Sequence, residues 1–324
     1  MAGIRKISAI LCSGNISWDI LVRPVDQFQW GTNTWVEEYL EEMGGNGSNT
    51  SYCLGRFGVP VRLLGMVGSD ERGDALLEKL RRAGVDVGQV GRSVEPTTTT
   101  ICVTNSQGER LFFQRLGSSK EAFAEPSGFH AEMVGQASHY HQANLYSLPN
   151  LRRNSAEQMR RAREAGMTVS VDTGWAADGQ WMETLAPVLP YTDLLFVNEQ
   201  EAGMLTGERE PEAMAARLRD HGASGIVLKL GAAGCAVFSG KESRIIPGFS
   251  VPAVDTTGAG DCFAAGFLAA LHRGADYFAA ARYANAAGAL AVTALGAVMG
   301  LDGIREWRLL EEWMAKARLE HRDL

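Results

Sequence analysis

The sequence predicts an α/β protein: a large, mostly parallel sheet sandwiched by helices, with a small β-sheet lying over it as a lid. Three observations lead there. Apolar runs of strand length alternate with amphipathic stretches of helix length, the rhythm of a parallel sheet covered on both faces. Two segments, about 16–43 and 97–117, break that rhythm with aromatic and β-branched residues in short alternating runs. At 324 residues, 45% hydrophobic and 21% charged, the chain has the composition of an ordinary globule and the length of one large domain, 1–324.

In chain order, residues 7–12 read as a buried strand ended by Ser13-Gly14-Asn15. Asp19 then stands alone among Ile16, Trp18, Ile20, Leu21 and Val22, where a carboxylate needs a partner. It is either a turn cap or an acceptor for ligand hydroxyls at a strand's C-terminal end, where open α/β sheets bind. Residues 20–43, with Trp30, Trp35 and Tyr39, look like small antiparallel strands. A helix is expected over 49–57, a strand over 61–67, a helix over 73–83 closed by Gly84, and a return to the sheet at 85–90. Residues 98–104 and 110–114 flank Asn105-Ser106-Gln107-Gly108 as a hairpin. The two β-rich segments form either one sheet or two unrelated edge hairpins.

The rhythm then resumes: strand 137–145, helix 155–165 before Gly166, strand 167–172, strand 194–197, helices 200–205 and 211–221, and strand 225–230. A glycine-bearing turn at 231–234 leads into strand 235–238, and two helices, 277–294 and 304–320, close the chain.

The most informative stretch is Asp255-Thr256-Thr257-Gly258-Ala259-Gly260-Asp261, which runs into an all-round apolar helix ending before Gly274. A helix N-terminus with glycines at 258 and 260 is an anion site, because free N–H groups face the ligand and no Cβ stands in the way. Asp261 is out of place there. It either caps the helix or takes a proton from a group attacking a bound phosphate. A dinucleotide fingerprint is excluded by Phe263, the cluster 45–50 fails the same test at Thr50, and no P-loop occurs.

A net charge of −7 and a pI near 5.5 argue against a nucleic-acid surface. No run approaches a membrane span, and the first apolar run is too short for a signal peptide. The five cysteines (12, 53, 102, 235 and 262) are odd in number and form no C-x-x-C, so free thiols in the cytoplasm are expected. A catalytic Cys262 has no base nearby in sequence. His139 and His141 share a strand face, for metal or for hydrogen bonds near a substrate cleft.

Four segments together resemble the ribokinase-type (PfkB) carbohydrate kinases, over nearly the whole chain. They are 255–261, Gly44-Gly45-Asn46-Gly47-Ser48-Asn49, Asn198-Glu199-Gln200-Glu201 as an N-x-x-E motif, and Gly14-Asn15 with Asp19. The resemblance implies ATP-dependent phosphorylation of a primary hydroxyl on a small sugar, of ribose, fructose or keto-deoxy sugar acid type. Asp261 would be the base, and the N–H groups of Gly258, Ala259 and Gly260 the anion hole. Asp19, Gly44, Gly45, Asn46, Asn49 and Asn144 would hold the sugar. Asn198, Lys229, Gly231, Gly234 and Asn285 would hold ATP. Asn198 and Glu201 would hold Mg²⁺ through water, and Asp255, Thr257 and Gly296 would form a site for K⁺.

Asn46 departs from the family, which often has Lys there; this disfavours a phosphorylated sugar, although Arg115 is placed to bind an anionic group or else lies on the surface. Two other readings stay open: a nucleoside kinase stacking its base on Trp30 or Trp35, and a silent sugar-binding regulator. A lid of exposed strands also suggests a homodimer paired through the lid edge.

Overall fold

The computed structural model describes residues 8–125 and 137–320. Residue 7 of the expected first strand and the basic pair before it lie outside that range. The main sheet has ten strands: β1 (Ile10–Ser13), β4 (Val61–Gly68), β5 (Val85–Asp86), β6 (Val90–Ser93) and β9 (His139–Gln142), then β10 (Thr168–Asp172), β11 (Leu194–Asn198), β12 (Gly225–Lys229), β13 (Gly234–Ser239) and β14 (Glu242–Pro247). Its order is β14-β13-β12-β11-β10-β9-β1-β4-β5, with β6 beside β4. Every pairing is parallel except those of β13 with β12 and β14.

Apolar residues point to both faces of these strands because both faces are covered. On one side Ile10, Cys12 and Phe196 join α1 (Asn46–Arg56), α2 (Glu71–Arg82), α7 (Ala259–His272) and α8 (Tyr277–Ala291) in one core, with α9 (Trp307–Glu320) at its margin. On the other, Leu11, Tyr140 and Leu195 pack against α3 (Pro149–Glu164), α4 (Trp181–Leu185), α5 (Glu199–Thr206) and α6 (Pro211–Asp220). Helix α7 is buried on all sides, as its composition requires. It lies so close to α8 that a Cβ on Gly266 would come within 2.8 Å of Tyr283 O and 2.9 Å of Ala287 Cβ. Small residues thus lock the helix that carries the glycine turn.

The two β-rich segments form one four-stranded sheet, in the order β3 (Glu38–Gly44), β2 (Ser17–Arg23), β7 (Thr99–Thr104), β8 (Arg110–Arg115). Two hairpin-like pairs are antiparallel, as the patterning suggests, but the central β2–β7 pairing is parallel. Each of these strands follows a parallel strand of the main sheet, β1 or β6, so both enter the small sheet in the same direction. Within the stretch 20–43 expected to form strands, none forms at 24–37; Pro24 has no N–H to extend the ladder, and the second strand begins only at Glu38. The β7–β8 turn is as expected, with Asn105 Oδ1 accepting from the N–H groups of Gln107 and Glu109 and Gly108 at φ +82°. Among the described residues no helix is long and apolar enough to cross a membrane.

Candidate active site

The glycine turn does what its spacing demands. Gly258 is the N-cap of α7 at φ +72°, and a Cβ there would meet Ala297 O at 2.5 Å, so the position admits glycine alone. Asp255 fastens the turn: its Oδ1 accepts from Thr257 N (2.9 Å) and Oγ1 (2.7 Å), and its Oδ2 from Gly296 N (3.0 Å). Ala259 and Gly260 follow in the first helical turn with their N–H groups at the open helix end.

Asp261 does not cap the helix. No side chain caps α7, and the Asp261 carboxylate turns instead toward α1. Its two oxygens accept from Asn46 Nδ2 at 3.0 Å and Asn49 Nδ2 at 2.9 Å. Burial pushes its pKa up to about 6; the two carboxamides and the Lys229 charge pull the other way and only partly offset it. A carboxylate poised there releases and takes protons near neutral pH, as a general base must.

A polar wall continues from Asp261. Asn144 Nδ2 donates to Asn46 Oδ1 at 3.2 Å, and its own Oδ1 is held by Tyr146 N and Ser147 N. Asp19 lies across Gly44, where any Cβ would overlap its carboxylate. Gly45, at φ +91°, lets α1 begin against the Asn15 carbonyl. Asp19 accepts from Ser17 Oγ at 2.6 Å, and burial, helped by the Asp261 and Glu42 charges, pushes its pKa up to about 6 against the hydroxyls of Ser17 and Thr100. Asp19, Gly44, Gly45, Asn46, Asn49 and Asn144 thus converge on Asp261. Arg115 does not join them. It is exposed at the end of β8 opposite Thr99, one residue out of step with the Gln114–Thr100–Asp19 row, and so projects from the other face of the small sheet.

On the far side of the glycine turn is a cavity of about 390 Å³ lined by Asn198, Lys229, Gly231, Gly234 and Asn285, with Ala259, Gly260 and Phe263 contributed by α7. Asn285 Nδ2 donates to the carbonyls of Ile246 and Pro247 at 3.0 Å, fixing the cavity's edge. Asn198 and Glu201 form a capping box at the start of α5, and Thr173 Oγ1 donates to Glu201 Oε2 at 2.7 Å. Asn198 lines the cavity and Glu201 is buried behind it; both supply hard oxygen donors, the type that suits hydrated Mg²⁺.

One residue the sequence reading did not single out, Asp172, belongs here as the partner of Lys229, which the resemblance places among the ATP-binding residues. Lys229 Nζ donates to both oxygens of Asp172 at 2.8 Å, and it lies 3.3 Å from where a Cβ on Gly260 would be. Burial alone would lower the lysine pKa; the charges of Asp172, Glu201 and Asp261 outweigh it, and the ammonium is held on. Asp172 ends a buried strand, as Asp19 follows one, and the same argument from a lone carboxylate at a strand's end applies to it.

The histidines take neither expected role. His139 and His141 are buried at 2% and 0% exposure and share Ser170 Oγ across β10, and burial drives both pKa values down to about 3. They are neutral core residues. The Cys262 thiol is also buried, against Cys53 Sγ at 3.5 Å, and that contact, with burial, raises its pKa well above the usual thiol range. It has no nucleophilic character. All five cysteines are free and buried.

Residues 11–302 match the pfkB family carbohydrate kinase. The chain is 33% identical to the ATP-dependent ribose-1-phosphate kinase of Halopiger xanaduensis, over 89% of this chain and 93% of that one. It is 28% identical to the 2-dehydro-3-deoxygluconokinase of Bacillus subtilis, over 88% and 90%. The fold is similar to that of Arabidopsis thaliana ribokinase complexed with ribose and ATP, with a TM-score of 0.82 at 24% identity, covering 95% of this chain and 98% of the other. The chain belongs to the pfkB family and is an ATP-dependent carbohydrate kinase.

Proposed function

We propose that this enzyme transfers the γ-phosphoryl group of ATP to a primary hydroxyl of a small sugar, with Asp261 as the general base. The observation that carries this reading is the position of α7. Its first turn, capped by Gly258, presents Ala259 and Gly260 to the cavity on one side and the Asp261 carboxylate to the polar wall on the other. A hydroxyl on that wall gives its proton to Asp261 as its oxygen attacks phosphorus. The charge that develops on the transferred group meets the N–H groups of the turn, where one well-placed donor is worth roughly 3–4 kcal/mol. The adenine end of ATP lies toward Asn285, Gly231 and Gly234, with Lys229 near the phosphates. Asn198 and Glu201 would hold Mg²⁺ through water, and the ion would supply positive charge against the phosphates.

Asp19, Asn46, Asn49 and Asn144 are hydroxyl partners rather than phosphate partners: carboxylates and carboxamides line the wall. This favours a sugar of ribose, fructose or keto-deoxy acid type over a phosphorylated one. We read the small sheet as a lid that closes over the sugar and excludes water. Its outer surface, with Ile101, Leu111 and Phe113 exposed and the β8 edge unpaired among the described residues, fits a homodimer formed lid to lid. The buried free thiols fit a reducing cytoplasm.

A panel of neutral, acidic and phosphorylated sugars scored by ADP release, with wild type and Asp261→Asn, tests the reading. The variant should lose at least about 10³-fold in kcat while binding ATP and sugar normally. In the wild type, activity should fall as pH drops through about 6, because Asp261 must be unprotonated to act. An Asp261→Asn enzyme with ordinary turnover would end the proposal.

A further inference from the structure

The anion-hole turn contains a negative charge of its own. The Asp255 side chain is 8% exposed, and the hydrogen bonds that hold it come from the neutral donors Thr257 N, Thr257 Oγ1 and Gly296 N. A carboxylate this close to Gly258 opposes the charge that must build up on a transferred phosphoryl group. Asp255, Thr257 and Gly296 are the residues at which the family resemblance suggests potassium. Here the Asp255 carboxylate is already held by the Thr257 N–H and hydroxyl and the Gly296 N–H, and a protein cation stands beside them. Arg110 Nη1 donates to Thr257 Oγ1 at 2.9 Å and lies 3.8 Å from Asp255 Oδ1. The Thr257 hydroxyl accepts from the guanidinium and donates to the carboxylate, so the three groups form a chain.

Arg110 does not come from the body of the enzyme. It is the first residue of β8, on the edge of the small sheet, with its guanidinium 5.9 Å from the Phe112 ring centroid. A second tie runs alongside: Arg23, at the end of β2, donates from Nη1 to Val254 O at 3.1 Å while its Nε and Nη2 hold Glu38. Two strands of the small sheet are therefore fastened to residues 254–257, and one of them delivers a positive charge.

We infer that Arg110 is a positioning residue carried by the lid: its guanidinium neutralises Asp255 when the small sheet is down, in place of a monovalent cation. The inference rests on the lid and anion-hole reading above. It makes the hole fully electropositive only when the small sheet is down, which ties phosphoryl transfer to the position of the lid. It also makes the wild-type rate indifferent to potassium.

The experiment measures kcat and KM for sugar and ATP with wild type, Arg110→Ala and Arg110→Lys, in chloride salts of potassium or tetramethylammonium at constant ionic strength. Wild type should run within about 2-fold in the two salts. Arg110→Ala should lose roughly 10-fold in kcat in tetramethylammonium, less than the 10²–10³ that follows loss of a direct oxyanion donor. Added potassium or guanidinium should restore most of that loss, and Arg110→Lys should lie between. A wild-type enzyme that slows when potassium is withdrawn overturns the inference. So does an Arg110→Ala enzyme as fast as wild type, or one whose deficit neither cation repairs. A wild type that phosphorylates no sugar at all would instead strike the proposed function, so the two failures are distinct.

Discussion

The central strands of the large sheet and the edge strand of the small one treat their side chains in opposite ways. In the large sheet β1 and β9 are buried along their whole length, and β10 to β13 along all but one residue each. In the small sheet every residue of β8 is exposed, and Trp30 and Trp35 in the adjoining loop stand 93% and 91% exposed. The groups that need fixed geometry, the glycine turn and Asp261, sit on the buried side, on a helix pressed against α8 with no room for a Cβ. The groups at the other edge of the site are tied down by a few hydrogen bonds and ion pairs at the surface, each worth little on its own. The glycine turn and Asp261 thus sit on the densely packed part, and the small sheet meets them through contacts at the surface.

The sharpest way to break that contrast is to crowd the rigid side. Gly258→Ala puts a methyl group against Ala297 O in a backbone region that disfavours any side chain, so the turn must shift and its N–H groups lose their aim. We expect kcat to fall about 10²–10³-fold with the fold intact. Gly274→Ala is the control: its φ is +86° but nothing lies within 4 Å of the added Cβ, so it carries backbone strain without the crowding. It should lower Tm slightly and leave kcat alone. Equal effects of the two on kcat would mean the turn is not an anion hole.

A smaller effect is expected one layer deeper. Asp172→Asn leaves the Lys229 ammonium without the carboxylate that holds it beside Gly260. We expect kcat/KM for ATP to fall about 10- to 100-fold, with some loss of Tm from the half-broken buried pair. The decisive measurement is the double variant. If Asp172 acts through Lys229, Asp172→Asn with Lys229→Met should be no slower than Lys229→Met alone. Additive losses would show Asp172 acting independently.

These residues also mark how far the sequence could be read. The turn from Asp255 to Asp261 was legible because its chemistry is local: glycine spacing, a helix start and a misplaced carboxylate all fall within one stretch. The same holds for the strands of the large sheet, whose two-sided burial is written in unbroken apolar runs, whereas Asn198 and Glu201 stood out only through the family resemblance. What contacts Asp261 was not legible from the physics of the chain, since Asn46 and Asn49 lie 215 and 212 residues away. Asp172 and Lys229 are 57 residues apart and meet only because β10 and β12 flank β11. His139 and His141 carried the right pattern for a shared face, but polarity in a strand does not reveal whether its partner is a ligand or a neighbouring serine. The parallel β2–β7 pairing escaped for the same reason: register and direction are set by where each strand leaves the main sheet.

The smallest expected effect on stability comes from the exposed sheet, and it sharpens the comparison most. Phe113 is 55% exposed, opposite Ile101 on the outer face of β7 and β8, where it fills no core. Phe113→Ser should change the unfolding free energy by no more than about 0.5 kcal/mol, as surface substitutions do. The same change should shift the enzyme toward monomer in sedimentation, because it removes apolar area from the face through which two lids would meet. Turnover at saturating sugar should hold, since neither Asp261 nor the glycine turn is touched. If Phe113→Ser instead unfolds the protein or costs as much in kcat as Gly258→Ala, the small sheet is part of the rigid body, and the division of labour between the two sheets does not exist.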